Sequence, residues 1–316
     1  MLESALQWTL IAGACAFVLA GATAPLAALG WWAGQDDEAR EPSQTPTEEP
    51  NAEAKPSARR FLVYLGGIDT FDGASLSPRE QRFLHALKAD LPEMKIVDTL
   101  FPYAVTGEPL IQEPRVLRWL WRELSKRTKD GGARRTVLAN LINARNLFQV
   151  MVSADRRYGP IYNAAIAKLV LDALADAGWR PASGATVTLL GYSGGAQMAA
   201  GAGEALAARI HGPLELISLG GVLASSQGLM AFKRIVHITA RRDRADRLAV
   251  VGCPGRWPIA VGSAWNRANV LGKVRRVRLG DMRHSGERGY LGERRDNAGR
   301  ENWEVTLAAV REAIAA

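Results

Sequence analysis

A serine flanked by glycines lies at residues 191–195, where the chain reads Gly-Tyr-Ser-Gly-Gly. A β-forming run, TVTLL, precedes the motif, and a helix rich in small residues is predicted after it. In this context the pattern predicts a sharp strand-to-helix turn that exposes the Ser193 hydroxyl above a sheet. The adjoining helix N-terminus would favour a developing negative charge. The motif therefore predicts nucleophilic attack by Ser193, and the alternative is a serine that only caps the helix.

The motif, together with the candidate residues that follow it, resembles the α/β-hydrolase superfamily in its esterase and lipase-like branch. The resemblance covers roughly residues 60–316. It implies an α/β three-layer sandwich with a mostly parallel sheet, and an enzyme in which a histidine activates the serine and an acid orients the histidine. It also implies no cofactor.

The resemblance places the catalytic base in a loop after the last strand. Among the four histidines, His284 is the one in such a loop, within GDMRHSGERGYL. His85 and His211 fall on or beside predicted helices. His237 falls inside a predicted strand, where a packing role is expected. His284 is therefore the candidate base.

The catalytic acid should follow the preceding strand, RIVHITA, and two aspartates do so. The resemblance favours Asp243, because it lies at the usual distance from the strand end, with Asp246 as the alternate. Both belong to the arginine-rich sequence ARRDRADRL, so a surface ion-pair cluster is the competing interpretation.

An acyl-transfer site also needs backbone donors for the oxyanion. The resemblance assigns one to the N–H of Gly194, directly after Ser193, and another to the loop after the first strand. That loop reads Gly-Gly-Ile-Asp-Thr, and Gly67 or Ile68 is the expected donor. It lacks the His-Gly form common in lipase-like relatives, which leaves the choice between the two open.

Motifs for other chemistries are missing from the sequence. There is no phosphate-binding G-x-x-x-x-G-K-[ST], and Gly66-Gly67 has no third glycine to complete a dinucleotide fingerprint. No His-x-x-x-His or Cys-x-x-Cys pattern suggests a metal site, and two cysteines are too few for a disulfide framework. We therefore expect neither a cofactor nor a metal.

Strands and helices alternate from residue 61 to the C-terminus, which predicts the α/β sandwich independently of the motif. Several strands are nearly continuous apolar runs, as in parallel sheets covered on both faces. The predicted strands are 61–65, 95–100, 186–190, 214–219, 234–239 and 273–279. The predicted helices begin with a capping box at Ser77 and continue at 160–178, 194–210 and 302–315.

Residues 110–155 do not fit this alternation and are predicted to form two helices, at about 114–127 and 136–153. The second sequence, TVLANLINARNLFQVMV, is strongly apolar. It either packs on the sheet, which we favour, or belongs to a lid over the active site.

The N-terminus contains no charged side chain between Ser4 and Gln35. Such a stretch is long enough to cross a bilayer. No basic n-region precedes it, so residues 1–34 predict an uncleaved single-pass anchor rather than a signal peptide. Residues 35–59 are polar and rich in Pro and Glu, which predicts a flexible linker. The sparse flanking charges lean towards a cytoplasmic catalytic domain.

The formal net charge is +8, and the excess of bases lies in residues 61–316. A basic surface favours anionic partners, but no nucleic-acid-binding module is recognisable, and a solvated surface is the simpler interpretation. Two functions fit the sequence. One is a membrane-anchored serine hydrolase acting on an acyl ester, with lipid among the candidate substrates. The other is an inactive α/β-hydrolase-like protein that binds a partner at the membrane.

Overall fold

The computed structural model describes residues 58–69, 76–103 and 133–316, of which 133–142 are described by their backbone alone. The predicted anchor 1–34, almost all of the linker and the helix at 114–127 lie outside these residues. Within the described ranges, no helix combines the length and the apolar character that a membrane crossing requires.

Six strands form one sheet in which every pair of neighbours is parallel, in the order β2-β1-β3-β4-β5-β6. The strands are β1 (Arg60–Leu65), β2 (Lys95–Val97), β3 (Thr186–Tyr192), β4 (Leu214–Leu219), β5 (Arg234–Ala240) and β6 (Val274–Leu279). The four central strands are buried along nearly their whole length. Continuous apolar sequence thus produces strands covered on both faces.

Helices cover both faces of the sheet. They are α1 (Pro78–Asp90), α2 (Ala133–Ala154), α3 (Gly159–Asp176), α4 (Gly194–Ala207), α5 (Arg244–Gly252), α6 (Ala264–Val270) and α7 (Asn302–Ala315). One apolar cluster joins the sheet to α2, α3, α4 and α6. The other joins it to α1 and α7. The predicted α/β class with a mostly parallel sheet is therefore confirmed.

The direction in which successive strands are added to the sheet reverses between β1 and β3. From β1 the chain moves outward to β2, and then it returns to β3 on the other side of β1 and continues to β6. In open parallel sheets, ligands bind beyond the carboxyl ends of the strands at such a switch point. The loop Gly66–Ile68 follows β1 and Ser193 follows β3, so both lie at this point.

Three elements differ from the sequence-based expectation. Strand β2 ends at Val97 because the chain then turns inward to bury Leu100, Phe101 and Tyr103. Helices α5 and α6 were not predicted, since both have fewer than ten residues. The apolar helix expected at 136–153 is α2, and its described end packs against α4 with Val150 buried.

Candidate active site

Ser193 lies at the junction of β3 and α4 in a strained backbone conformation. Its φ is +53° and its ψ is −120°, and it is the one non-glycine residue with positive φ in the described ranges. The turn is attached to the neighbouring strand: the Ser193 N–H donates to the Leu219 carbonyl at 3.0 Å, and the Val222 N–H donates to the Ser193 carbonyl at 3.4 Å. Such strain persists where surrounding bonds impose it, commonly at functional sites.

The glycines on either side of the serine are required by close backbone contacts. A β-carbon on Gly191 would overlap the backbone of Ala196, and one on Gly195 would overlap the Leu65 carbonyl oxygen. One on Gly194 would lie 2.8 Å from Ile68 Cγ2. The sequence places glycine at all three positions because the helix, β1 and the following loop meet there without space for a methyl group.

Ser193, His284 and Asp243 form a continuous hydrogen-bonded chain. The Ser193 Oγ lies 2.8 Å from His284 Nε2, and His284 Nδ1 lies 3.0 and 3.1 Å from the two carboxylate oxygens of Asp243. Because the carboxylate accepts, Nδ1 carries the proton and Nε2 is free to accept from the serine hydroxyl. The three residues that the sequence singled out separately are therefore brought together across 91 positions of the chain.

The Asp243 side chain is fully buried and accepts hydrogen bonds from four residues. Besides His284, it accepts from the Tyr290 hydroxyl at 2.8 Å and from the backbone N–H groups of Ala245 and Asp246 at 2.8 and 3.3 Å. Burial by itself would raise the pKa of Asp243, but hydrogen bonds from His284 and Tyr290 and from the backbone lower it below its ordinary value. The carboxylate therefore stays ionised at neutral pH.

Two tyrosines hold the histidine in place. Tyr192 stacks beside the His284 ring with centroids 6.1 Å apart, and its hydroxyl donates to the His284 carbonyl at 3.0 Å. Tyr290 meets the ring edge-on. Burial and the nearby Asp243 charge raise the pKa of Tyr290 well above its usual range, so its phenol remains a donor. Neither tyrosine was singled out from the sequence, where no local pattern distinguishes them.

The expected oxyanion residues lie beside the serine. Ile68 packs against Gly194, since a β-carbon on Gly194 would lie 2.8 Å from Ile68 Cγ2. Gly67 precedes Ile68 in the same loop. Side chains fix this loop: the Asn146 amide donates to the Ile68 carbonyl at 2.7 Å, and the Tyr103 hydroxyl donates to the Gly66 carbonyl at 2.8 Å. Gly194 opens α4, where backbone N–H groups have no intrahelical partner. No sequence pattern identifies Asn146 or Tyr103 as part of the site.

Asp246, the alternate acid, faces a different histidine. Its carboxylate lies 3.3 Å from His237 Nε2 and 3.5 Å from the Arg256 guanidinium, while His237 Nδ1 lies 3.0 Å from Ser218 Oγ. His237 is buried, as expected for a strand residue, and burial lowers its pKa despite the opposing effect of Asp246. The structure thus separates the two aspartates, with Asp243 on His284 and Asp246 in a buried packing network.

His85 and His211 take no part in this chain of hydrogen bonds. His85 and His211 are exposed. Across residues 58–69, 76–103 and 133–316, no group of three or more His, Cys, Asp or Glu side chains could hold a metal ion.

The comparisons with known proteins add little to this geometry. No family model and no curated protein matches the chain. Among solved structures, the chain is similar to a dienelactone hydrolase-like promiscuous phosphotriesterase from metagenomic libraries. The two chains share 14% sequence identity at a TM-score of 0.40, over 82% of this chain and 89% of that one. The parallel sheet, the strained turn after β3 and the chain order Ser, Asp, His are those of the α/β-hydrolase fold.

Proposed function

We propose that this protein is a serine hydrolase that cleaves a carboxylic ester or a related acyl bond. The observation that carries the proposal is the continuous chain from Ser193 Oγ through His284 to the buried Asp243 carboxylate, starting at a strained residue. A serine that served only as a helix cap would need neither the strain nor the imidazole. In α4 the Ser193 side chain makes no capping hydrogen bond.

The reaction follows from the positions of these groups. His284 Nε2 takes the hydroxyl proton as Ser193 Oγ attacks the acyl carbon, and Asp243 stabilises the resulting imidazolium. Backbone N–H groups of Gly194 and of Gly67 or Ile68 would bind the oxyanion. His284 then protonates the departing alcohol, which leaves an acyl-enzyme. Water, deprotonated by the same imidazole, attacks the acyl carbon; the bond to Ser193 Oγ breaks, His284 returns the proton to Oγ, and the carboxylic acid leaves.

The proposed location is a membrane, to which residues 1–34 would anchor the domain through the linker 35–59. This location favours an apolar acyl ester, lipid included, as the substrate. Hydrolysis of para-nitrophenyl esters of graded acyl length by the full-length protein in detergent would define the acyl preference. An increase in kcat/KM with acyl length would support a lipid-like substrate.

The decisive experiment is covalent labelling of the full-length protein with a fluorophosphonate probe. Wild type should label, Ser193→Ala should not, and His284→Ala should label much more slowly. Ser183→Ala and His211→Ala, which alter residues outside the site, should behave as wild type. A folded wild-type protein that stays unlabelled and hydrolyses no ester would favour the second function, an inactive binding protein.

The role of the acid is tested by comparing two isosteric variants. Asp243→Asn should lower kcat by about 10⁴-fold, because the amide no longer holds the required imidazole tautomer. Asp246→Asn should leave kcat within a few fold, since its carboxylate contacts His237 rather than His284. A larger loss of kcat at position 246 would reverse the assignment.

A further inference from the structure

An apolar ridge projects into solvent after the candidate acid. We define it as Leu248 and Val251 of α5 together with Trp257, Ile259 and Val261 of the following loop. Leu248 and Val251 are each 70% exposed, Ile259 is 82% exposed and Val261 is 71% exposed. The Trp257 indole N–H donates to the Val250 carbonyl at 2.9 Å, which joins the loop to the helix.

This exposure is unusual for a short amphipathic helix. In α5 the residue that is buried is Ala249, whereas the larger apolar side chains point outward. Single exposed leucines are common, but several large apolar side chains close together in sequence and joined by a hydrogen bond mark an interaction surface.

The stretch of sequence that carries the ridge contains almost only positive charges. From Arg247 to Gly280 the sequence contains no Asp or Glu. Asp243 is buried and Asp246 is paired with Arg256 and His237, so neither offsets the surface. Arg244 and Arg247 are exposed, and no ion pair joins either of them to another residue of the described ranges. A partner that fits this surface must combine negative charge with an apolar interior.

The helix that carries the first part of the ridge begins at the same edge of the sheet as the active site. Helix α5 begins directly after Asp243, at the carboxyl end of β5, which is the edge from which Ser193 also extends. Val270 and Leu271 are also exposed, but they lie just before β6, at the opposite, amino-terminal edge. This second pair gives a matched control for apolar exposure.

We propose that the ridge docks onto an anionic lipid bilayer. Apolar side chains would enter the boundary between headgroups and acyl chains, while the flanking arginines bind the headgroups. The flexible linker that the sequence predicts at 35–59 would span roughly 25–30 Å, comparable to the ~20 Å length of a six-residue strand. A chain entering at Arg60, at the amino-terminal edge, can therefore turn the opposite edge towards the membrane. The proposal rests on this surface and on the membrane location proposed above, and it is independent of hydrolase activity.

The test is a fluorescent label at the ridge of the full-length protein. In a Cys15→Ser, Cys253→Ser background, Val261→Cys or the control Val270→Cys carries an environment-sensitive nitrobenzoxadiazole dye. Each protein is reconstituted in nanodiscs of phosphatidylcholine, with or without phosphatidylglycerol. At position 261, phosphatidylglycerol should raise emission by about twofold or more and shift it to the blue, and high salt should reverse the change. Position 270 should not respond.

A second substitution tests the apolar contribution. Ile259→Glu should abolish the response at position 261, whereas Leu271→Glu should leave it intact, with far-UV circular dichroism verifying that both variants fold. Equal responses at 261 and 270, or no response at either, would overturn the proposal. So would a dye at 261 that is already shielded without lipid, which would mean that another segment of this chain or a second copy covers the ridge.

Discussion

The hydroxyl of Tyr290 offers the sharpest test of how the site is held. It donates to Asp243 Oδ2 at 2.8 Å, the same oxygen that lies 3.0 Å from His284 Nδ1, and the tyrosine is fully buried. Tyr290→Phe removes this one donor. The ring should stay in place, because it packs against Gly220 so tightly that a β-carbon there would lie 2.5 Å from it.

The expected loss follows from the charge of the acceptor. A hydrogen bond to a buried charged group contributes about 1.5–3 kcal/mol, so the free energy of unfolding should fall by that amount. The pKa of Asp243 should rise, since one of the donors that lower it is gone. If about half of this free energy is also lost from the transition state because the imidazole is held less well, kcat/KM should fall by roughly 4- to 12-fold.

Urea denaturation and para-nitrophenyl ester hydrolysis measure the two effects. Tyr158→Phe is the matched control, because Tyr158 is 43% exposed and lies outside the site. Wild-type stability and activity in Tyr290→Phe would refute the reasoning. So would an activity loss as large as that of Asp243→Asn, because the carboxylate should still orient His284 without the phenol.

Three further outcomes are expected. Ser193→Gly should be about 1 kcal/mol more stable than Ser193→Ala in urea, because glycine relieves the positive-φ strain at some cost in chain entropy; equal stabilities would contradict this. Because burial lowers the folded-state pKa of His237, unfolding free energy should fall as pH drops through about 6.5, and His237→Gln should flatten that slope; an unchanged slope would exclude His237 as its source. Asn146→Ala should lower kcat about tenfold with little change in KM if the Ile68 loop binds the oxyanion; a change confined to KM would not fit.

The strands and the turn at 191–195 could be predicted from sequence, because each depends mainly on the residues that form it. Apolar runs predicted the four central strands, because a parallel strand covered on both faces must be apolar along its length. The motif at 191–195 predicted the turn, since only glycine fits where α4 meets β1. Short helices such as α5 offered too few residues for periodicity to show, although Asp243 caps that helix.

The residues around the candidate site could be ranked only in part from sequence. Asp243 and Asp246 are three positions apart and chemically identical, and their separation depends on which histidine each one faces. Tyr290 and Asn146 contribute through contacts that span 47 and 78 positions of the chain, which no local pattern records.

The carboxylate of Asp243 both caps α5 and orients the imidazole. A saturation mutagenesis survey should therefore find that most substitutions at this position reduce cellular abundance and turnover together. At position 193, by contrast, substitutions should abolish turnover while the variant proteins keep a normal cellular abundance. A substitution that removes the proposed acid therefore also weakens the helix that this acid caps.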